Sequence, residues 1–391
     1  MADYHVVIGG GSISGLLAAR EIASAGLSVA VIEEDAEIGT PEHCGGLVSI
    51  SGLRNLGIVP CMDTVENSRI EKAKVFSPSS FFEISAERQN VIVLDRRAFD
   101  KQIAFDAQKK GAEIKVKCSI RSFGKEGSGY VVKTSEGVVS CNFFVDARGI
   151  TSIINRNRGG VLQSAQYEVY ASWIEPHTIE VVFDSQQYPG FFAWIIPSGR
   201  GRGKVGVAGK QINAATVLQN YIDRKGKCSV MRKVYAPIWV NGPLESFVFD
   251  RMIIVGDAAG QSKPTTAGGI YTCGMGGVLA GRALVEAADK NKSDQEKHQI
   301  LLKQYERVWL SMFKQEFDRM LLARRLLERM DNKAIDDLVT AIPAEIIQEA
   351  SRDSDFDFHS AALAKMLGAK GTARLAKALL GNEVRRLIAE S

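Results

Sequence analysis

The segment from His5 to Glu33 constrains the fold more than any other part of the chain. It reads as an apolar run, His5-Val6-Val7-Ile8, a glycine turn from Gly9 to Gly15, a helical stretch from Leu16 to Ala25 and a second apolar run, Val29 to Glu33. Strand, turn, helix and strand in this order form a βαβ unit, which sets its two strands parallel and covers the sheet with a helix. Two glycine registers fit the turn: Gly9-x-Gly11-x-x-Ser14 and Gly10-x-Ser12-x-x-Gly15. The second puts Gly15 where the helix closes on the strand and Gly26 at the helix end. It also puts the acidic Glu33 a little over 20 residues after the turn, where a carboxylate meets the ribose of a dinucleotide. Gly10 is therefore taken as the first glycine. Ser12 and Ser14 lie in the turn, and the helix N-terminus supplies amide donors and a positive dipole end for a pyrophosphate. Ser12 stands where glycine is usual; its Cβ narrows the approach, while its hydroxyl can donate to a phosphate.

With 391 residues the chain can bury one large α/β core or two interleaved domains. A formal charge of +4 argues against nucleic acid as a partner but is compatible with an anionic membrane surface. Six cysteines, Cys44, Cys61, Cys118, Cys141, Cys228 and Cys273, show neither CxxC nor metal-ligand spacing, so no metal is expected. The N-terminus lacks the pattern of a signal peptide, and a reducing, cytoplasmic setting follows as the expectation. No apolar stretch approaches the roughly 20 residues needed to cross a bilayer, which leaves peripheral contact, for instance at the inner face of the cell membrane, as the available membrane role.

Further along, residues 40–60 read as an irregular glycine-rich stretch, and Leu94 to Gly111 as a helix capped by Asp95. Val131 to Ala147 predicts two strands around Gly137, and Tyr167 to Val248 an antiparallel sheet containing YEVYASW, TIEVVF and FFAWIIP. A buried strand, MIIVG, returns after Arg251 and leads through a glycine-rich turn to a helix over Ile270–Ala288; the remainder is helical. The organisation expected is a dinucleotide domain in three parts, residues 1–70, 94–160 and 250–290, interleaved with a sheet domain at 71–93 and 161–249 and followed by a helical region, 291–391.

The segment Ile253-Ile254-Val255-Gly256-Asp257-Ala258-Ala259-Gly260, followed by Pro264 to Ile270, separates FAD from a nicotinamide nucleotide. A buried strand ending in Gly-Asp lets the Asp257 carboxylate reach the sugar-alcohol chain of FAD. Gly268 and Gly269, opening a helix at Ile270, aim amides at the flavin N1 and O2 region, where negative charge collects on reduction.

These motifs, with PEHCGGLVS at Pro41 to Ser49, LDRRAFD at Leu94 to Asp100 and YPGFFAWIIPSGRG at Tyr188 to Gly201, resemble the geranylgeranyl reductase family of flavoproteins. The resemblance is strongest to archaeal digeranylgeranylglycerophospholipid reductases and runs through the tail around Tyr305 to Met330. It implies an FAD-binding Rossmann-like fold of the para-hydroxybenzoate hydroxylase kind with an interleaved antiparallel-sheet substrate domain, and FAD-dependent saturation of isoprenoid double bonds in archaeal-type membrane ether lipids. It further implies that Glu33 holds the adenosine ribose, that Arg97 lies near the ribityl and phosphate region, that Asp257 contacts ribityl or pyrophosphate, and that Gly268 and Gly269 line the isoalloxazine. The Cys44-Gly45 loop would lie beside the flavin. Electron donors compatible with it are ferredoxin, a reduced deazaflavin and NAD(P)H. One departure is Val145-Asp146-Ala147-Arg148-Gly149, where related hydroxylases carry Asp-Gly.

The chemistry so implied needs a hydride from flavin N5 and a proton for the other alkene carbon, with little polarity in the substrate to grip, so positioning carries much of the catalysis. Tyr188, Phe191, Phe192 and Trp194, joined by Trp173 and Tyr167 on neighbouring strands, suit an apolar polyprenyl chain, or else serve as sheet core. Cys44, His43 and Tyr271 are the candidate proton relays; for Cys44 the alternative is that it only shapes the cavity. Aromatic hydroxylation or halogenation on the same fold is the competing reading. Phe191-Phe192-Ala193-Trp194-Ile195-Ile196-Pro197 lacks the first tryptophan of the halogenase WxWxIP pattern.

Overall fold

The computed structural model describes residues 2–154, 159–288, 295–353 and 355–360. The expectation of helix over 361–391 lies outside these described residues. In chain order the elements that build the site are β1 (Tyr4–Gly9), α1 (Ile13–Ser24), β2 (Val29–Ile32), β3 (Val91–Leu94), α2 (Arg96–Lys109), β4 (Gly137–Asp146), β5 (Val161–Tyr170), β6 (Thr178–Val182), β7 (Ala193–Gly199), β8 (Arg202–Gly209), α3 (Ala214–Lys225), β9 (Ser229–Trp239), β10 (Met252–Ile254), α4 (Ile270–Ala287) and α5 (Gln295–Leu327).

In the first sheet β10, β4, β1 and β2 lie side by side in parallel, continued by Glu113–Lys115. Val6, Val7, Ile8 and Val29 to Ile32 are buried, as parallel strands covered on both faces require. α1 and α4 pack together with almost no side chain between them: a Cβ on Gly277 would stand 2.1 Å from the Ser14 carbonyl oxygen, and one on Gly281 2.9 Å from that of Ala18. This close approach draws the end of β10 against the start of α1 and so unites two glycine turns far apart in sequence.

The second sheet runs β9-β5-β8-β7-β6 and is then extended by Lys72–Phe76 and Phe81–Ser85. It is antiparallel except where β6 pairs in parallel with Lys72–Phe76. Strand periodicity gives it two different faces. Ala165, Tyr167, Val169, Ala193, Ile195, Val205 and Val207 pack on α3, while Gln166, Glu168, Trp194, Ile196 and Lys204 face the segment around Glu42 to Gly46. A small third sheet joins Leu47–Ser49, β3 and Val65–Asn67.

Three local expectations need correction. The stretch 40–60 is not wholly irregular: Leu47–Ser49 is a strand and Ile50–Asn55 a helix, with Ser49 accepting from the Gly52 amide as its cap. α3 interrupts the strand-rich region; Asn213 caps it, and Ala214, Leu218, Tyr221 and Ile222 form its buried stripe. Leu94 belongs to β3 rather than to the helix, which Asp95 caps through the amides of Arg97 and Ala98. In the tail, α5 is a core helix: Trp309, Phe313, Phe317 and Met320 are buried, Met312 is exposed, and the Trp309 indole donates to the Thr272 carbonyl at 3.0 Å.

Candidate functional site

The first glycine turn has the register expected. Gly10 adopts φ +106°, a conformation that glycine tolerates and side chains rarely do, and a Cβ there would stand 2.2 Å from the Ala147 carbonyl oxygen. A Cβ on Gly15 would stand 2.1 Å from the Gly10 oxygen, so α1 can start only this close to β1 with glycine at that position. Glu33, just past β2, turns to the glycine loop, where its carboxylate accepts from the Gly11 amide at 2.6 Å and the Asp35 amide at 2.9 Å. Ser12 is the N-cap of α1 but makes no capping bond, and it is exposed, which leaves its hydroxyl available to a ligand.

The second turn arrives beside it. A Cβ on Gly256 would stand 2.4 Å from Ser14 Oγ. Asp257 lies deep in the body with its side chain open to this site; burial raises its carboxyl pKa, opposed by hydrogen bonds from Cys273 and Ser262 and by the Arg96 charge. The Cys273 thiol donates to Asp257 Oδ1 at 3.5 Å. Gly269 is the N-cap of α4 and lies against Asp257 and Cys273, with Gly268 before it and buried Ile270 after it.

Arg96, rather than Arg97, is the arginine turned to this place. The Arg97 guanidinium folds back on Asp95 at 3.1 and 3.0 Å and lies 3.6 Å from Glu42. One residue away, and about 100° around the helix, Arg96 grips Asp100 through two bonds of 3.0 and 2.9 Å and lies beside the Cys44 thiol, and its charge acts on Asp257. Burial works against its charge, but Asp100 and Cys44 raise its pKa overall. The i, i+4 spacing of Arg96 and Asp100 is a sequence signal for a helix-held ion pair, but it does not say which way the guanidinium faces.

The Cys44 loop is clamped between the sheets. A Cβ on Gly45 would stand 2.4 Å from Ile196 Cδ1, and one on Gly46 (φ +82°) 2.3 Å from the Leu94 oxygen. Gln166 donates to the Cys44 carbonyl at 3.3 Å and accepts from the Trp194 indole at 3.1 Å, tying the thiol loop to the aromatic strand. The Gly46 amide donates to Cys44 Sγ at 3.4 Å. Glu42, buried, accepts from Lys204 Nζ at 2.6 Å, the Arg96 amide at 3.2 Å and Arg232 at 2.5 Å.

The aromatics divide between the two faces of the second sheet, Trp194 and Tyr167 from within strands and the others from the loops beside them. Phe191 and Phe192 stack at 4.1 Å and meet Trp194 edge-on. Tyr188, Trp173 and Tyr167, expected on the same wall, belong instead to the α3 side of the sheet: Tyr188 packs on Tyr221, Trp173 donates to the Lys227 carbonyl, and Tyr167 lies in the same cluster. Of the other relay candidates, His43 has much of its surface open to solvent, but the protein packed around its ring still desolvates it enough to lower its pKa, with Asp35 opposing the shift and Arg232 adding to it. Tyr271 accepts from Asn55 and packs on Phe313 and Phe358, so its surroundings are those of a core residue. Among the described residues no cluster of histidine, cysteine or acidic side chains could hold a metal ion.

Crevices at the carboxyl ends of parallel strands, with an acid after the second strand, are where α/β sheets take dinucleotides. Glycines at 10 and 15, the free Ser12 hydroxyl, Glu33 and open Asp257 fit FAD, and a family model described as FAD binding domain matches residues 3–228. The chain is thus an FAD-binding flavoprotein. It is 30% identical over 372 residues, 90% of this chain and 94% of the other, to digeranylgeranylglycerophospholipid reductase 2 of Methanothermobacter thermautotrophicus. It belongs to the family of digeranylgeranylglycerophospholipid reductases. Its fold matches a geranylgeranyl bacteriochlorophyll reductase-like protein of Thermoplasma acidophilum with a TM-score of 0.83 at 24% identity, over 96% of this chain and 98% of that one. A flavin-dependent brominase triple mutant aligns with a TM-score of 0.68 at 17% identity, over 97% and 99% of the two chains. These two likenesses concern the fold alone.

Proposed function

We propose that the protein saturates isoprenoid double bonds of archaeal-type geranylgeranyl lipids. The observation that carries this reading is the tie from Trp194 through Gln166 to Cys44, which sets a thiol and an apolar wall side by side next to Asp257 and Arg96. Bound, reduced FAD supplies the hydride. The chain's own residues do the rest. Glu33 holds the adenosine ribose, Ser12, Ser14 and the amides of α1 receive the pyrophosphate, Asp257 and Arg96 hold the ribityl side, and Gly268, Gly269 and Ile270 lie against the isoalloxazine. Phe191, Phe192, Trp194 and Ile196 hold the alkene and keep water out, which is how a substrate without polar groups is oriented. The Cys44 thiol delivers the proton to the second carbon.

Cytoplasmic location with peripheral contact at the membrane is part of this proposal, because the substrate is a lipid and, among the described residues, no helix is long and apolar enough to cross a membrane. The electron donor is ferredoxin, a reduced deazaflavin or NAD(P)H. To test the reading, the FAD-loaded protein is reduced with dithionite without oxygen and given digeranylgeranylglyceryl phosphate. Flavin reoxidation with a mass gain of one hydrogen molecule per bond is the expected result. Reoxidation that waits for oxygen and an aromatic compound would overturn it in favour of hydroxylation or halogenation.

A further inference from the structure

Lys263 lies in the turn between Asp257 and Gly269 and is buried. Its backbone closes that turn on itself, the amide donating to the Gly268 carbonyl at 2.9 Å and the carbonyl accepting from Ala267 at 2.8 Å. The side chain runs back beneath the glycine pair: a Cβ on Gly268 would stand 3.3 Å from Lys263 Cε and 3.9 Å from Nζ. The ammonium donates to the Phe356 carbonyl at 3.2 Å, sits 4.5 Å from the Phe356 ring centre and reaches Asp357 Oδ1 at 3.5 Å. Asp357 in turn accepts from Ser49 Oγ at 2.5 Å, so it links this turn to the end of the Cys44 loop.

The other groups around the ammonium leave its charge only partly balanced. Glu316 is engaged by the Ser360 amide at 2.7 Å and by the Ser360 hydroxyl, and Asp355 is exposed and screened by water. His359, bonded to Thr265 at 2.8 Å, has its pKa lowered to about 3 by burial and by the Lys263 charge, so it is neutral. Burial also lowers the pKa of Lys263, with Asp357 acting the other way.

Resting on the reading that Gly268 and Gly269 lie against the isoalloxazine, we propose that the Lys263–Asp357 pair sets the potential of the bound flavin. A cation behind the glycine pair adds to the α4 dipole and favours the reduced flavin, whose negative charge collects at N1 and O2; Asp357 moderates the effect. The two members of the pair therefore act with opposite sign.

The test measures the midpoint potential and the sulfite dissociation constant of the FAD-loaded full chain. Lys263→Met should weaken both the preference for reduced flavin and sulfite affinity about tenfold, a fall of about 30 mV for a two-electron couple. Asp357→Asn should shift both the other way, and Lys263→Arg should stay near the parent. If Lys263→Met loses FAD, the other two variants still decide. Potentials that do not move, or that fall in both Lys263→Met and Asp357→Asn as simple loosening would cause, overturn the proposal. Gly268→Ala separates it from the reading beneath it. Altered flavin absorption in Gly268→Ala with the charge variants unmoved removes Lys263 alone, whereas no change in any variant removes the flavin from this turn and the proposal with it.

Discussion

Lys204 offers the sharpest test of how the two sheets are joined at the thiol loop. It is fully buried on β8, with Nζ 2.6 Å from Glu42 and 2.8 Å from Glu66. Lys204→Met keeps most of the stem's packing and removes the charge. Glu42 retains Arg232 and the Arg96 amide, but Glu66 is left buried without this counter-charge. Breaking a buried pair from one side costs about 3–5 kcal/mol, and most of it should return in Lys204→Met/Glu66→Gln. The loss has a definite pH dependence. Burial already raises the Glu66 pKa against the pull of Lys204, and without Lys204 it rises further in the folded state. A carboxyl with a raised folded pKa binds its proton more tightly when folded, so the penalty is absent below the unfolded pKa and complete above the folded one. Urea unfolding followed by tryptophan fluorescence should therefore show Lys204→Met closest to the parent at about pH 5 and furthest from it at about pH 8. A loss below about 1 kcal/mol, or one equal at both pH values, would refute this account of the network.

Gly15→Ala places a methyl 2.1 Å from the Gly10 oxygen, so overpacking should cost about 1–3 kcal/mol and weaken FAD binding, read by flavin fluorescence titration. Cys44→Ser should lower anaerobic turnover about a hundredfold with FAD still bound, if the thiol is the proton source; full turnover would remove Cys44 from the reaction. Trp309→Ala empties a buried site on α5 and frees the Thr272 carbonyl, and should destabilise by about 3–5 kcal/mol in thermal unfolding.

Local patterns carried the fold a long way. The spacing from Gly10 through Gly15 to Glu33, the apolar run before Gly256-Asp257 and the Asp95 cap are set by neighbours within a turn or a strand, where backbone sterics and short hydrogen bonds act, and all are legible in one dimension. α3 was missed because its short apolar stripe sits among strands, and a few apolar residues do not fix a period. What tertiary structure alone decided is which way side chains turn. Arg96 and Arg97 are adjacent and chemically identical, and only the packing of α2 against the Cys44 loop assigns one to the site and the other to Asp95 and Glu42. Strand parity says that neighbouring strand residues face opposite ways, but only α3 on one face and the Cys44 loop on the other determine that Trp194 meets Gln166 while Tyr167 enters the core. The Glu42–Lys204 and Lys263–Asp357 pairs join residues distant in sequence. A buried charge is tolerated only beside its partner, and the folded chain alone brings those partners together.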